Sequence, residues 1–285
     1  MEGLVTLLEA NRPTVAGADG LSYLCYLKGR IKRDVGRVLV GDRVVLVPTD
    51  PGEARIDEIL PRTNQLLRPP VANVTGLFVV FTLAHPVGNL ELLDKRLVMA
   101  KLLGLEAEVV LSKVDLLTDA AVLDEVQWAY QSAGFRVWRV SSRTGLRLKD
   151  MVQHRRQGIW VLTGESGAGK STLLNAMIPQ QEALTQALGR TGRGQQTTRW
   201  VRLYRLGDYW LADSPGYTAL TASVRDPRAI ASAFEEFSAF TCRFANCLHG
   251  QEPDCTVRVA VAENRIPQWR YRHYRKLLSE WVRTY

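Results

Sequence analysis

A multidomain chain is what this sequence predicts: an all-β N-terminal barrel, a central α/β domain and a mostly helical C-terminal segment. Three observations predict it. Short apolar strands separated by glycine turns fill the first 69 residues. Strands alternating with helical periodicity follow them. Three of the four cysteines then crowd between positions 242 and 255. At 285 residues, 46% hydrophobic and 23% charged, the chain has the length and composition for two or three folded units.

In the first region, Val38-Leu39-Val40 and Val44-Val45-Leu46-Val47 flank Gly41-Asp42, a two-residue hairpin signal, and Ala54 to Ile59 reads as a further strand. Strands of this length fit a small barrel, either of the oligonucleotide-binding (OB) type or SH3-like. Lys28, Arg30, Lys32, Arg33, Arg37, Arg62 and Arg68 crowd here. They would line a groove for a nucleic-acid backbone or make a solvated face. The formal net charge of +8 favours a polyanionic partner. Arg68-Pro69-Pro70 marks the expected boundary, so the domains are read as 1–69, 70–222 and 223–285.

Beyond that boundary Phe78 to Leu83 is a strand, Leu90, Leu93, Leu97 and Ala100 recur at helical spacing, and Glu108 to Leu111 is a second strand. A helix around Ala121 to Ala133 and a strand from Phe135 to Val140 follow. This alternation predicts a mostly parallel sheet with its ligand loops at the carboxyl ends of the strands.

Gly164-Glu165-Ser166-Gly167-Ala168-Gly169-Lys170-Ser171-Thr172 fits the phosphate-loop pattern G-x-x-x-x-G-K-S/T, between the apolar run Ile159 to Leu162 and a helix from Leu173. Backbone N–H groups freed by the glycines, together with a helix N-terminus, make an anion cradle. Lys170 would reach the β- and γ-phosphates of a nucleoside triphosphate, and the Ser171 hydroxyl would bind Mg²⁺.

Two further loops point to the base. Ser112-Lys113-Val114-Asp115 is close to the Asn/Thr-Lys-x-Asp pattern. One carboxylate at Asp115 accepts both donors of guanine, N1–H and the 2-amino group, and adenine leaves it unpaired. Such a site rejects the wrong base by ~10⁴-fold. Lys113 would lay its stem along the base and tie this loop to the phosphate loop. Ser112 keeps a hydroxyl without an amide's reach, so weaker nucleotide binding is expected. Ser141-Ser142-Arg143 ends the next strand and would place its backbone at the guanine oxygen.

Asp213-Ser214-Pro215-Gly216 fits D-x-x-G. Asp213 would hold Mg²⁺ and the Gly216 N–H would meet the γ-phosphate, an interaction that hydrolysis abolishes. Between the two phosphate elements, Thr197 or Thr198 would complete the Mg²⁺ shell. Tyr217 stands where many GTPases carry a water-orienting glutamine, and Gln196 is the candidate for that role here.

Cys242, Cys247, His249 and Cys255 read C-x₄-C-x-H-x₅-C, a closed set for one structural Zn²⁺. Cys25 is read as a buried apolar residue. From Arg265 to Tyr285 there are six Lys/Arg and one acid. Tyr274, Leu277, Leu278 and Trp281 share one helical face, and Arg272, Arg275 and Lys276 lie elsewhere, able to face phosphates. No apolar run reaches the ~18 residues of a membrane span, and Met1-Glu2-Gly3 does not open a signal peptide, so a cytoplasmic protein is expected.

Together these motifs resemble the small-ribosomal-subunit biogenesis GTPases, the RsgA (YjeQ) family, over nearly the whole chain. The resemblance rests on Gly41 to Val44, Arg68-Pro69, Ala72-Asn73-Val74, Lys113 to Asp115, the phosphate loop, Gly192 to Arg199, Asp213 to Gly216 and the cysteine spacing. It implies an OB-fold barrel, a circularly permuted P-loop GTPase domain and a zinc domain. It further implies GTP hydrolysis stimulated by the small (30S) ribosomal subunit, binding of that subunit and its rRNA, a role in late maturation, and release on hydrolysis. The expected ligands are GTP/GDP, Mg²⁺ and one Zn²⁺, and the chain is expected to act as a monomer. A histidine that commonly precedes the family's paired threonines is Gln196 here, and Ser112 is a second departure. They keep open a weakly catalytic or non-catalytic GTP-regulated RNA-binding protein. An ATP-dependent kinase or ATPase is disfavoured by Asp115.

Overall fold

The computed structural model describes residues 1–9, 12–27, 37–178, 201–213 and 226–282. Its strands are β1 (Glu2–Glu9), β2 (Arg12–Gly17), β3 (Ser22–Leu27), β4 (Arg43–Asp50), β5 (Glu53–Ile59), β6 (Gln65–Leu67), β7 (Pro70–Ala72), β8 (Val74–Phe81), β9 (Glu106–Leu111), β10 (Arg136–Arg139), β11 (Gly158–Gly164), β12 (Arg202–Leu206) and β13 (Tyr209–Asp213). The helices are α1 (Leu90–Leu102), α2 (Ala120–Ser132), α3 (Leu148–Gln153), α4 (Lys170–Met177), α5 (Pro227–Ala233), α6 (Thr256–Ala262) and α7 (Gln268–Val282). The chain divides into two compact units. One holds Met1–Gly76, Leu148–Thr163 and Ser171–Ala219; the other holds Leu77–Arg147, Gly164–Lys170 and Leu220–Tyr285.

In the first unit β1, β2, β3, β5 and β4 pair in that order, and β4 returns to β1 to close a barrel. The pairing of β3 with β5 is parallel, so β4 must cross between them, which is the OB arrangement. Period-2 alternation sends Val5, Val15, Cys25, Val44, Leu46, Ala54 and Ile56 inward, all fully buried. Among the described residues, the β1–β4 pairing closes the sheet on itself. On the outside, β12 pairs with β1 at Leu7 and Arg202, and β13 pairs with β12 antiparallel and with β11 parallel.

The hairpin expected around Gly41-Asp42 does not form. Val40 bridges to Val71 instead. The Gly41 N–H donates to the Val5 carbonyl (2.8 Å), and the Val5 N–H donates to the Asp42 carbonyl (2.9 Å). Gly41 has φ +90°, and a Cβ there would strike the Ala72 carbonyl. The turn is therefore fixed by the strands beside it rather than by its own flanks. The buried Asp42 carboxylate accepts from the Leu39 N–H (2.8 Å) and from the Arg62 guanidinium (2.6 and 2.8 Å). Arg62, read from the sequence as a candidate groove residue, is the counter-charge this burial demands. Lys28, Arg30, Lys32 and Arg33 lie outside the described residues.

In the second unit β10, β9 and β8 are neighbours, β9 and β10 parallel. Leu77, Phe78, Val79 and Val80 are buried. Helix α1 is capped by the Asn89 side chain, which accepts from the Glu91 N–H (2.8 Å). The C-terminal helices belong to the same unit. Val98 of α1 shares a core with Ile230, Phe234, Phe237, Val257, Tyr274 and Leu277.

Charge reinforces that core. Asp94 of α1 accepts from Arg270 (2.6 Å) and the Tyr130 hydroxyl (2.9 Å), and lies 2.6 Å from His273 Nδ1. Arg270 also donates to Glu236 (2.6 Å). Lys276 pairs with Glu91 and Lys95 with Glu280 (3.0 Å). On α7, Tyr274, Leu277 and Leu278 are buried while Arg272 and Lys276 are exposed, as the helical periodicity predicts. Arg270, one of the six basic residues of this segment, turns inward, where Asp94 and Glu236 compensate its burial. Among the described residues no helix is long and apolar enough to cross a membrane.

Candidate functional site

The phosphate loop leaves β11 at Gly164 and enters α4 at Lys170. Gly164 passes so close to β8 that a Cβ would strike the Val80 carbonyl. The Ala168 N–H turns back to the Glu165 carbonyl (3.3 Å). Lys170 donates to the carbonyls of Gly164 (3.0 Å) and Glu165 (2.8 Å), so its ammonium lies over its own loop. Burial lowers its pKa, and the charge of Arg96 on α1 adds to the effect. The negative charge of an entering phosphate would oppose both influences. Glu165 accepts from the Asn89 N–H (2.6 Å), which joins the loop to the start of α1. Neither Arg96 nor Asn89 stands out in the sequence, because nothing local marks a helix start as the neighbour of a loop 76 residues away.

Ser112 and Lys113 follow β9 and hold the same loop from another side. The Ser112 hydroxyl donates to the Ala168 carbonyl (2.6 Å) and approaches the Phe81 carbonyl (3.1 Å). The Lys113 ammonium donates to the Gly167 carbonyl (2.6 Å) and, more weakly, to that of His85 (3.3 Å). Serine thus spans the gap between the two loops without an amide's length. Lys113 has φ +57°, and this left-handed residue starts the short 3₁₀ turn that presents Asp115.

Asp115 accepts from the Arg143 guanidinium (2.8 Å). Its pKa is lowered chiefly by a hydrogen bond from the Ser141 side chain and further by Arg143, so the carboxylate is ionised. Ser141 is buried and its hydroxyl accepts from the Thr144 N–H (3.1 Å), while Ser142 is half-buried beside it. The Val114 N–H reaches the Val140 carbonyl (3.4 Å) and joins the 112–115 loop to the end of β10. One unit therefore brings together Ser112, Lys113, Asp115, Ser141, Ser142 and Gly164 to Lys170. Ser171 and Thr172 are exposed in the first turn of α4, and Asp213 ends β13 opposite Arg202. Gln196, Thr197, Thr198 and Gly216 lie outside the described residues.

The C-terminal cluster is equally specific. The ligand atoms of Cys242, Cys247, His249 and Cys255 lie within 4.8 Å of one another. Cys242 Sγ is 3.8 Å from Cys255 Sγ, and each of these sulfurs is 3.5 Å from His249 Nδ1. A tetrahedron with Zn–S of ~2.3 Å and Zn–N of ~2.0 Å has edges of about 3.8 and 3.5 Å. Burial, with the neighbouring Cys242 and Cys255 sulfurs, pushes the Cys247 thiol up to about 12, so several thiolates here require a cation. Burial also lowers the His249 pKa, leaving the neutral ring a ligand needs. The supports are Glu252, which accepts from the Leu248 and Gly250 N–H groups (2.8 and 2.6 Å), and Phe237, edge-on to the His249 ring.

A family model described as RsgA GTPase matches residues 59–223. A Carboxydothermus hydrogenoformans protein, small ribosomal subunit biogenesis GTPase RsgA, is 37% identical over 98% of this chain and 97% of its own length. The chain belongs to the RsgA GTPase family. The solved structure of YjeQ from Thermotoga maritima superimposes with a TM-score of 0.81 at 30% identity, covering 99% of this chain and 98% of that one. YloQ, described as a circularly permuted GTPase, gives 0.80 at 27% identity over 100% and 96%. The RsgA fold accounts for the chain order: the loops at 112–115 and 141–143 precede the phosphate loop, and the closed barrel precedes both. The permutation reorders the connections and leaves the 112–115 loop beside the phosphate loop.

Proposed function

We propose that this GTPase assists late maturation of the small ribosomal subunit in the cytoplasm. As a monomer it binds the 30S particle and its rRNA in the GTP state and leaves on hydrolysis. The observation that carries the nucleotide half is the junction of loops: Ser112 on Ala168 and Lys113 on Gly167, with ionised Asp115 at the end of the same turn. A guanine entering there exchanges its N1–H and 2-amino donors for the Arg143 guanidinium on Asp115. The phosphates take the N–H groups of Gly164 to Thr172, and Lys170 turns from its own carbonyls to the β- and γ-oxygens. Mg²⁺ would supply charge stabilisation between the phosphates, held by Ser171, Asp213 and one of Thr197 and Thr198, with Gly216 at the γ-phosphate and Gln196 beside the attacking water. One Zn²⁺ in the Cys242, Cys247, His249 and Cys255 set would hold the C-terminal fold, with no position left for a substrate.

The carrying experiment is phosphate release from GTP with and without purified small subunits. Stimulation of wild type, near-total loss in Lys170→Ala and partial loss in Gln196→Ala are expected. Absence of stimulation would favour the weakly catalytic RNA-binding alternative. A Gln196→Ala rate equal to wild type would remove that residue from the mechanism.

A further inference from the structure

The β12–β13 hairpin and the outer wall of the barrel enclose a groove of about 500 Å³ within the first unit. Its floor is the outward face of β1 and β2, where Leu4, Thr6, Thr14 and Ala16 alternate with the inward Val5 and Val15, and Leu7 and Leu203 lie beside them. The floor is uncharged and shallow. The rim is not: Arg43, Arg202 and Arg205 border it, against one carboxylate, Glu2, which lies 3.6 Å from Arg43. Trp210 faces Arg205 across the hairpin, with the guanidinium carbon 5.9 Å from the ring centroid.

We infer that this groove takes a single-stranded RNA segment, its phosphates on Arg202 and Arg205 and a base against Trp210. The inference rests on the rRNA reading above and gives that reading a surface. Guanidiniums along an uncharged channel, with an aromatic ring among them, are what a sugar–phosphate backbone with exposed bases requires. Three arginines against one carboxylate favour a polyanion over a folded protein partner, and Leu4, Leu7 and Leu203 offer apolar surface to sugars and bases. The position also has a consequence for turnover. Arg202 stands opposite Asp213 in the β12–β13 register, so RNA held on Arg202 bears on the strand pair that carries the proposed Mg²⁺ carboxylate.

The test measures binding of wild type, Arg202→Ala/Arg205→Ala and Trp210→Leu to purified small subunits and to a labelled single-stranded RNA of about ten nucleotides, across a salt series. Each phosphate that loses its arginine takes about 0.7 from the salt slope, so the double variant should lose about 1.4. Its affinity should fall about tenfold or more, with GTP affinity unchanged. Trp210→Leu should weaken binding with the slope kept. Arg205→Lys, which retains the charge, should keep the slope and exclude a folding defect. If wild type binds subunits and the double variant binds them equally with the same slope, the groove is overturned and the ribosomal reading survives. If wild type binds no subunits, both fall. A polyglutamate peptide that displaces the RNA as well as unlabelled RNA does would also overturn the assignment to RNA.

Discussion

Asp94 with Arg270 and Asp115 with Arg143 use the same two side chains at similar distances, 2.6 and 2.8 Å. Their surroundings differ. Asp94 is 0% and Arg270 3% exposed, whereas Asp115 is 12% and Arg143 71% exposed. The first pair is almost wholly removed from water, and Tyr130, His273 and Glu236 supply further partners. Losing one member strands a charge in the core. In the second pair the arginine sits in solvent and can leave at little cost, while the aspartate stays anchored by Ser141. The buried pair fastens α1 to α7 permanently. The exposed pair holds an ionised carboxylate, the one proposed to read guanine, with a partner that can be exchanged.

The largest effect that would break this comparison is on base choice. Asp115→Ala should collapse the preference for GTP over ATP by about 10⁴-fold, measured by competition against labelled GTP, with the unfolding midpoint little changed. If ATP and GTP already compete equally in wild type, Asp115 reads no base. Next in size, Asp94→Ala should cost about 3–5 kcal/mol in urea unfolding while leaving base choice intact, because Arg270 would remain buried without its main counter-charge. A loss under about 1 kcal/mol would show that Glu236 alone suffices for Arg270.

The same contrast separates what could be read along the chain from what could not. The phosphate loop is legible because its chemistry is local: Gly164, Gly167 and Gly169 at fixed spacing free the backbone, and Lys170 follows. The cysteine cluster is legible for the same reason, since its turns close within fourteen residues, 242 to 255. A small barrel was visible in its strands, with OB and SH3-like forms left open, but the partner of Val40 was not. A turn residue specifies φ, not which backbone lies alongside, and Val40 meets Val71 rather than its own hairpin. Arg62 and Arg270 were hidden differently. Each looks like one more charge on a basic face, and only the fold, which brings Asp42 and Asp94 to them across 20 and 176 residues, makes them internal. Whether a charge faces solvent or the core is settled by long-range packing, and a charge pattern does not carry it.

Smaller effects sharpen the picture of the exposed pair. Arg143→Ala should change stability by no more than about 1 kcal/mol and should raise GTP affinity slightly, by up to about threefold, because guanine no longer displaces an ion-pair partner. A tenfold loss would instead make Arg143 a direct partner of the base.

The last expectation concerns pH. The Asp115 pKa is depressed in the folded protein, so as pH falls the unfolded carboxylate binds its proton first. The stabilisation from Ser141 and Arg143 is complete above the ordinary carboxylate range of about pH 4 and disappears only as pH drops through the lower folded value. Preference for GTP should therefore stay flat from about pH 8 to below about pH 5. Because the Ser141 hydrogen bond is the larger cause, Ser141→Ala should move the acid limb of that profile upward more than Arg143→Ala does. If Arg143→Ala moved it further, the exposed arginine would be holding the carboxylate after all, and the two aspartate–arginine pairs would differ less than their exposures imply.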